Sequence, residues 1–266
     1  MTELDRAREH FTTGGQIDGF LFDVYRRPAV RTSLQKMFHG KCAYCEHFYA
    51  GSFTEDIEHF RPKARIDTNS ATLHPGYWWL GSNWENLLPS CARCNKVKWL
   101  QIFDGTRLKV GKGNRFPLAD ETLRATAEGT HVHETPLLID PTVEDPAEFI
   151  AFDIIDGRCI AVPRFQDENS LGYRKARTSI DIYGLNRRQL VKDRTRIYVG
   201  VRAAIENLKQ FALTLQYLPG DLRAGVEARM QEERDRINAL LKSDQPHAGM
   251  SRFFARPFLE ALGVVP

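Results

Sequence analysis

The sequence predicts an α+β fold in which a small metal-bearing core lies between helical segments, and three observations predict it. Two Cys-x-x-Cys pairs, Cys42 with Cys45 and Cys91 with Cys94, bracket the run Asp56-Ile57-Glu58-His59-Phe60-Arg61-Pro62-Lys63. Further on, Phe149 to Phe152 and Arg158 to Val162 read as two strands joined by an Asp156-Gly157 turn. Beyond them Ile197, Val201, Ile205, Leu208 and Leu215 make an apolar stripe at helical spacing, and Leu222, Val226, Met230, Ile237 and Leu241 make another. The chain thus divides into an N-terminal helical segment, 1–40, a core with a cysteine-bound metal, 41–118, and a mainly helical region with a small β-hairpin, 119–266. Part of that last region is a candidate partner-binding surface.

In the first segment Ile17, Phe20, Leu21 and Val24 have helical spacing. Pro28 is placed to open a second short helix, whose apolar side is Leu34, Met37 and Phe38. In the core, a Cys-x-x-Cys turn lets two thiolates face one ion, and two such turns complete the closed tetrahedral shell that zinc accepts. Cys42, Cys45, Cys91 and Cys94 therefore point to a structural Zn²⁺. The gap between the pairs is longer than in a small zinc ribbon, so the residues inside it form structure of their own. A strand is expected over Asp56 to Phe60. The aromatic group Tyr77, Trp78, Trp79 and Trp84 follows, with core packing favoured over base stacking. Ser90 is placed to cap a helix that starts at Cys91, on which Asn95 and Lys98 would share a face.

Gly105 to Arg115 is a basic, glycine-containing loop, but it is not a phosphate-binding P-loop. Five residues separate Gly105 from Gly111 rather than four, and Gly113 stands where Ser or Thr would bind magnesium. Residues 119–135 are polar, and His131 and His133 read as a surface pair. Leu137 to Pro141 reads as a short strand with a proline stop. Pro219-Gly220 ends the first long helix, and Asp221 is placed to cap the next, giving an antiparallel helical hairpin.

Cys-x-x-Cys, Glu58-His59, Asn86-Leu87-Leu88 and Cys-x-x-Cys-Asn, over residues 41–99, resemble the HNH (ββα-metal) nucleases. More narrowly, four stretches resemble the PtuB family, the HNH subunit of Septu-type anti-phage systems that is also found as a retron effector. They are Glu58 to Lys63, Gly76-Tyr77-Trp78-Trp79-Leu80, Asn83-Trp84-Glu85-Asn86-Leu87-Leu88 and Lys112-Gly113-Asn114-Arg115-Phe116-Pro117-Leu118. The resemblance implies a zinc-knuckled ββα-metal core, endonuclease activity, a defence role and an ATPase partner of the PtuA type. It sets Glu58-His59 in the place of the usual Asp-His, and Asn95 in the place of the final His or Asn. The longer Glu58 is a departure from the general HNH pattern, though the narrower family expects it.

Composition agrees with a globular protein: 266 residues, 42% hydrophobic. Four of the five cysteines stand in metal-like pairs, which is no disulfide framework, and Cys159 reads as a buried small hydrophobe. No apolar run approaches membrane-spanning length and the N-terminus has no apolar signal core, so a reducing, cytoplasmic setting is expected. The formal charge of +3 does not identify a nucleic-acid binder, but its distribution is informative. Residues 86–115 hold Arg93, Lys96, Lys98, Arg107, Lys109, Lys112 and Arg115 against Asp104 alone. Beside a nuclease-like centre, such a run suits neutralisation of phosphates.

Phosphodiester hydrolysis needs an activated water, a cation at the scissile phosphate and fixed geometry. His59 is the candidate general base, since an imidazole of ordinary pKa is largely neutral near pH 7. Glu58 and Asn95 are candidate ligands of one catalytic Mg²⁺ or Mn²⁺, and Asp56, on the same side of an extended strand as Glu58, would support or complete that site. By the resemblance, the Asn86 amide braces the loop and the base. Arg61, Lys63 and Lys98 are candidate phosphate contacts. The bland alternative makes His59 a zinc ligand or a core residue; it is the weaker one, because four cysteines already saturate zinc. The competing class is a zinc-stabilised nucleic-acid-binding or adaptor module without catalysis. DNA is favoured as substrate, with RNA or tRNA left open because the sequence identifies no feature that would recognise a base or a 2′-hydroxyl.

Overall fold

The computed structural model describes residues 1–16, 19–49, 55–67 and 74–261. The first helix, α1 (Glu3–Thr12), starts in a reciprocal capping box between Thr2 and Asp5. The expected helical stripe does not form a helix. Phe20 and Leu21 are irregular, Val24 opens a 3₁₀ turn (Val24–Arg26), and Ile17 lies outside the described residues. Gly14 and Gly15 precede the stripe and Gly19 interrupts it, which disfavours a helix; Phe20 packs instead against the rings of Phe11 and Phe22. Pro28 does open α2 (Pro28–Met37), which buries Leu34 and leaves Met37 exposed.

The core begins with β1 (Glu55–His59), antiparallel to β2 (Leu87–Cys91) in a register that sets Glu58 opposite Leu88 and His59 opposite Leu87. A one-turn helix, α3 (Ala92–Asn95), follows directly. Two expectations are corrected here. The cap position of α3 is Cys91, and the Ser90 hydroxyl donates instead to the Cys91 carbonyl. Lys98 is not on the helix: it opens β3 (Lys98–Gln101), which pairs with β4 (Arg107–Val110). The loop after β4 turns back onto α3, where Lys112 N–H donates to the Cys94 carbonyl and Gly113 N–H to the Asn95 carbonyl. Gly111 makes that approach feasible, with φ at 102° and no room for a Cβ beside the Lys96 carbonyl.

Residues 137–139 are buried but form no strand, because their N–H groups go to unrelated partners: Leu137 to the Pro117 carbonyl and Ile139 to the Ser179 hydroxyl. The hairpin is present as β5 (Ile150–Ile155) and β6 (Arg158–Pro163), turned by Asp156 and Gly157 with φ of 49° and 71°. Cys159 is fully buried on β6. Four helices complete the fold: α4 (Leu171–Ile182), α5 (Arg188–Tyr217), α6 (Arg223–Leu241) and α7 (Ala248–Ala261). Asp221 does not cap α6; it sits in a 3₁₀ turn, Gly220–Leu222, that absorbs the change of direction. Val201, Ile205 and Leu208 of α5 pack on Met230, Ile237 and Leu241 of α6 and on Ala255 and Leu259 of α7. A separate apolar cluster gathers the four cysteines, Tyr77 and Trp79 with Leu138, Ile180 and Tyr183. Trp84, in contrast, is 40% exposed. Among the described residues, no helix is long and apolar enough to cross a membrane.

Candidate active site and metal centre

Cys42 and Cys45 lie in the turn between the bridge partners Lys41 and Phe48, Cys91 ends β2 and Cys94 belongs to α3. All four are buried, and their Sγ atoms lie within 4.8 Å of one another, 3.9 Å between Cys45 and Cys91. Four sulfurs at the Zn–S bond length around one tetrahedral ion stand about 3.8 Å apart. The cluster therefore has the donor set and the spacing to hold a metal such as zinc.

His59 ends β1 with 5% of its surface exposed. Its Nε2 is 2.8 Å from the Gly81 carbonyl oxygen. A carbonyl only accepts, so Nε2 carries the proton and Nδ1 keeps its lone pair. Burial, reinforced by the nearby Lys63 charge, lowers the pKa of His59 to about 3, so the ring is neutral near pH 7. The Tyr25 ring packs edge-on against it at 4.6 Å, with the Lys63 ammonium 4.6 Å from the Tyr25 ring centre. Glu3 fastens this turn: its buried carboxylate accepts the N–H groups of Asp23 and Val24 and the hydroxyl of Ser82.

The carboxylates fall into two arrangements. Glu58 is buried and bonded at 2.5 Å to Lys112, whose ammonium also donates to the His59 carbonyl at 2.9 Å. Burial lifts the Glu58 pKa and lowers that of Lys112, while their mutual attraction opposes both shifts. Asp56, on the same face of the strand, instead accepts from the Asn95 amide at 3.2 Å and pairs with Lys96 at 3.5 Å. Glu58 and Asn95 thus have different partners. Among the described residues, the four cysteines are the one group of three or more His, Cys, Asp or Glu donors that close on a common point.

Asn86 is buried between two loops, accepting the Arg61 N–H and donating to the carbonyls of Arg61 and Leu80. Arg61 turns inward, bonded to Glu134 at 3.1 Å and set over the rings of Phe60, Tyr77 and Phe116, so its charge is already matched inside the protein. Lys63 is half-buried on Tyr25, and Lys98 is exposed on β3. The basic run divides in the same way. Lys112 is buried and Arg115 bends back to the Gly111 carbonyl, whereas Lys96, Lys98, Arg107 and Lys109 are exposed.

Sequence reasoning missed Lys112 as the partner of Glu58, Gly81 as the anchor of His59, Tyr25 as its cover, and Arg187, whose guanidinium reaches the cysteine sulfurs. Lys112 and Gly81 stand within or beside stretches that carry the family resemblance, which is the one signal that could have found them.

Known proteins give a consistent comparison. The chain is 34% identical to the Septu protein PtuB of Bacillus mycoides (strain KBAB4) over 235 residues, 88% of this chain and 68% of that protein. It is 31% identical to the Septu protein PtuB of Bacillus thuringiensis over 128 residues, which is 48% of this chain and 34% of that protein. A match to the Septu protein PtuA of Bacillus mycoides (strain KBAB4) is 26% identical over 171 residues, 62% of this chain and 20% of that protein. No family model matches the chain, and no solved structure matches it.

Proposed function

We propose that this chain, which belongs to the Septu PtuB family, is an HNH-type endonuclease with His59 as its general base. The observation that carries the reading is the fixed tautomer of His59: Nε2 is committed to the Gly81 carbonyl, which leaves the Nδ1 lone pair to accept a proton from water. Burial holds the basicity of the ring down, and the phosphate anion of a bound substrate would raise it.

Asp56 and Asn95 are the residues that would hold a divalent cation. Their heads are 3.2 Å apart and partly open to solvent, and Mg²⁺ is commonly held by one or two protein oxygens plus water and phosphate. Such an ion would neutralise charge on the departing oxygen. Alternation along β1 turns Asp56 and His59 to opposite faces of the strand, so base and cation would be held by separate residues. Glu58, engaged by Lys112, acts as a positioning residue for the strand.

The substrate surface we propose is the exposed β3–β4 hairpin. Trp99, 61% exposed, pairs across the strands with Lys109, and Arg107 follows on the same face. An indole between cations suits base stacking along a phosphate backbone. Membership of the PtuB family, and the PtuA relative from the same Bacillus mycoides strain, support a role in Septu anti-phage defence with a PtuA-type ATPase as partner.

The test is cleavage by the chain together with such a partner, on plasmid DNA and on total tRNA, with Mg²⁺ or Mn²⁺ and with EDTA. Metal-dependent cleavage is expected, and the polymer that is cut identifies the substrate. Silence on both polymers with the partner present would move the reading to a nucleic-acid-binding module without catalysis.

A further inference from the structure

Arg187 is a cation where no carboxylate is found. It is 4% exposed, at the junction between α4 and α5, and among the described residues it makes no ion pair with Asp or Glu. Its guanidinium turns to the cysteine cluster, one terminal nitrogen lying 3.5 Å from Cys94 Sγ and the other 3.3 Å from Cys45 Sγ and 3.9 Å from Cys91 Sγ. The first nitrogen also donates to the carbonyls of Tyr183 and Gly184, each at 3.1 Å, which fixes the plane of the fork. A guanidinium without an anion is very costly to bury, so the sulfurs facing it carry negative charge. Four thiolates around Zn²⁺ have a net charge of −2, and one buried arginine halves it.

We propose that Arg187 is an outer-sphere partner of the cysteine-bound metal, donating N–H···S bonds that neutralise the thiolates and lock the start of α5 onto the knuckles only when the metal is present. The inference rests on the reading that the four cysteines hold a metal. Tyr183 adds a second tie between the same elements, its ring stacked at 3.9 Å on that of Tyr44, inside the first knuckle. Sulfur that accepts hydrogen bonds gives less electron density to the metal, so losing Arg187 should change both metal retention and the metal–sulfur spectrum.

The experiment uses the full chain, wild type beside Arg187→Met and Arg187→Lys, loaded first with Zn²⁺ and then with Co²⁺. Wild type is expected to bind one equivalent of metal. Arg187→Met should lose about 10- to 100-fold in zinc affinity by competition with a coloured chelator, and its thiolate-to-cobalt charge-transfer band should shift. Arg187→Lys, which keeps the charge but loses the fork, should fall between the two. In wild type, zinc removal should speed amide exchange at residues 188–194. If Arg187→Met folds but matches wild type in both affinity and band, the role of Arg187 is wrong while the metal site stands. If Arg187→Met does not fold, Arg187→Lys decides by the same two readouts. Wild type that binds no metal overturns the metal reading and the inference together.

Discussion

At the scale of single residues, two buried ionisable groups set the behaviour to measure. His59 and His247 both have pKa values lowered by burial to about 3. Between pH 6.5 and 3 the unfolded chain binds protons that the folded chain refuses, so stability falls as pH falls through that window. The slope is about 1.4 kcal/mol per pH unit for each histidine. Thermal melts from pH 7 to 4 should show this decline, and His59→Gln should lessen its slope by about 1.4 kcal/mol per pH unit while the share of His247 remains; an unchanged slope would contradict the buried neutral ring. Lys112 and Glu58 form the second case. Lys112→Met leaves a buried carboxylate unpaired and should cost about 3–5 kcal/mol. Adding Glu58→Gln should recover much of that loss, and a strictly additive double variant would mean the pair is not coupled. The sequence showed Glu58 and His59 because they adjoin within a motif. It could not show Lys112, 54 residues away from Glu58, or Arg187, 142 residues from Cys45, because nothing local marks a partner brought in by folding.

At the scale of elements, local chemistry explains what was legible. The Asp156-Gly157 turn announced its hairpin because both residues adopt positive φ, and Pro28 announced α2 because a helix start tolerates a missing N–H. The stripe through Phe20 and Val24 misled because periodicity was read across glycines, and the length of α3 was misjudged because the return of the Gly111 loop ends it after one turn. Gly111→Ala should therefore destabilise the core by more than 2 kcal/mol, roughly the upper range for strained backbone, measured by denaturant unfolding; a loss below 0.5 kcal/mol, on the order of an ordinary surface change, would contradict this packing. The turn Val24–Arg26 covers the candidate base with Tyr25 and is pinned by Glu3. Tyr25→Ala should open the His59 ring to water and raise its pKa toward the ordinary value, as followed by NMR titration of the ring. A value that stays near 3 would show that Tyr25 is not the cover.

At the scale of the whole molecule, the cysteine cluster joins parts of the chain that are distant in sequence. It brings together the first knuckle, the end of β2, α3 and the start of α5, while a second apolar cluster holds α5, α6 and α7 together. The two Cys-x-x-Cys pairs made the first junction readable, since their spacing is the one that suits four sulfurs around a single ion. The helical stripes made the second readable. How the Gly111 loop and the Tyr25 turn close on β1 was not readable, because both are tertiary contacts between irregular segments. The measurement that tests the central claim most directly is single-turnover cleavage by wild type and His59→Ala, each in complex with its PtuA-type partner and each checked for nucleic-acid binding. Loss of a general base should slow cleavage by roughly 100- to 10,000-fold with binding unchanged. Equal rates from the two proteins would contradict the assignment of His59 and, with it, the nuclease reading of this site.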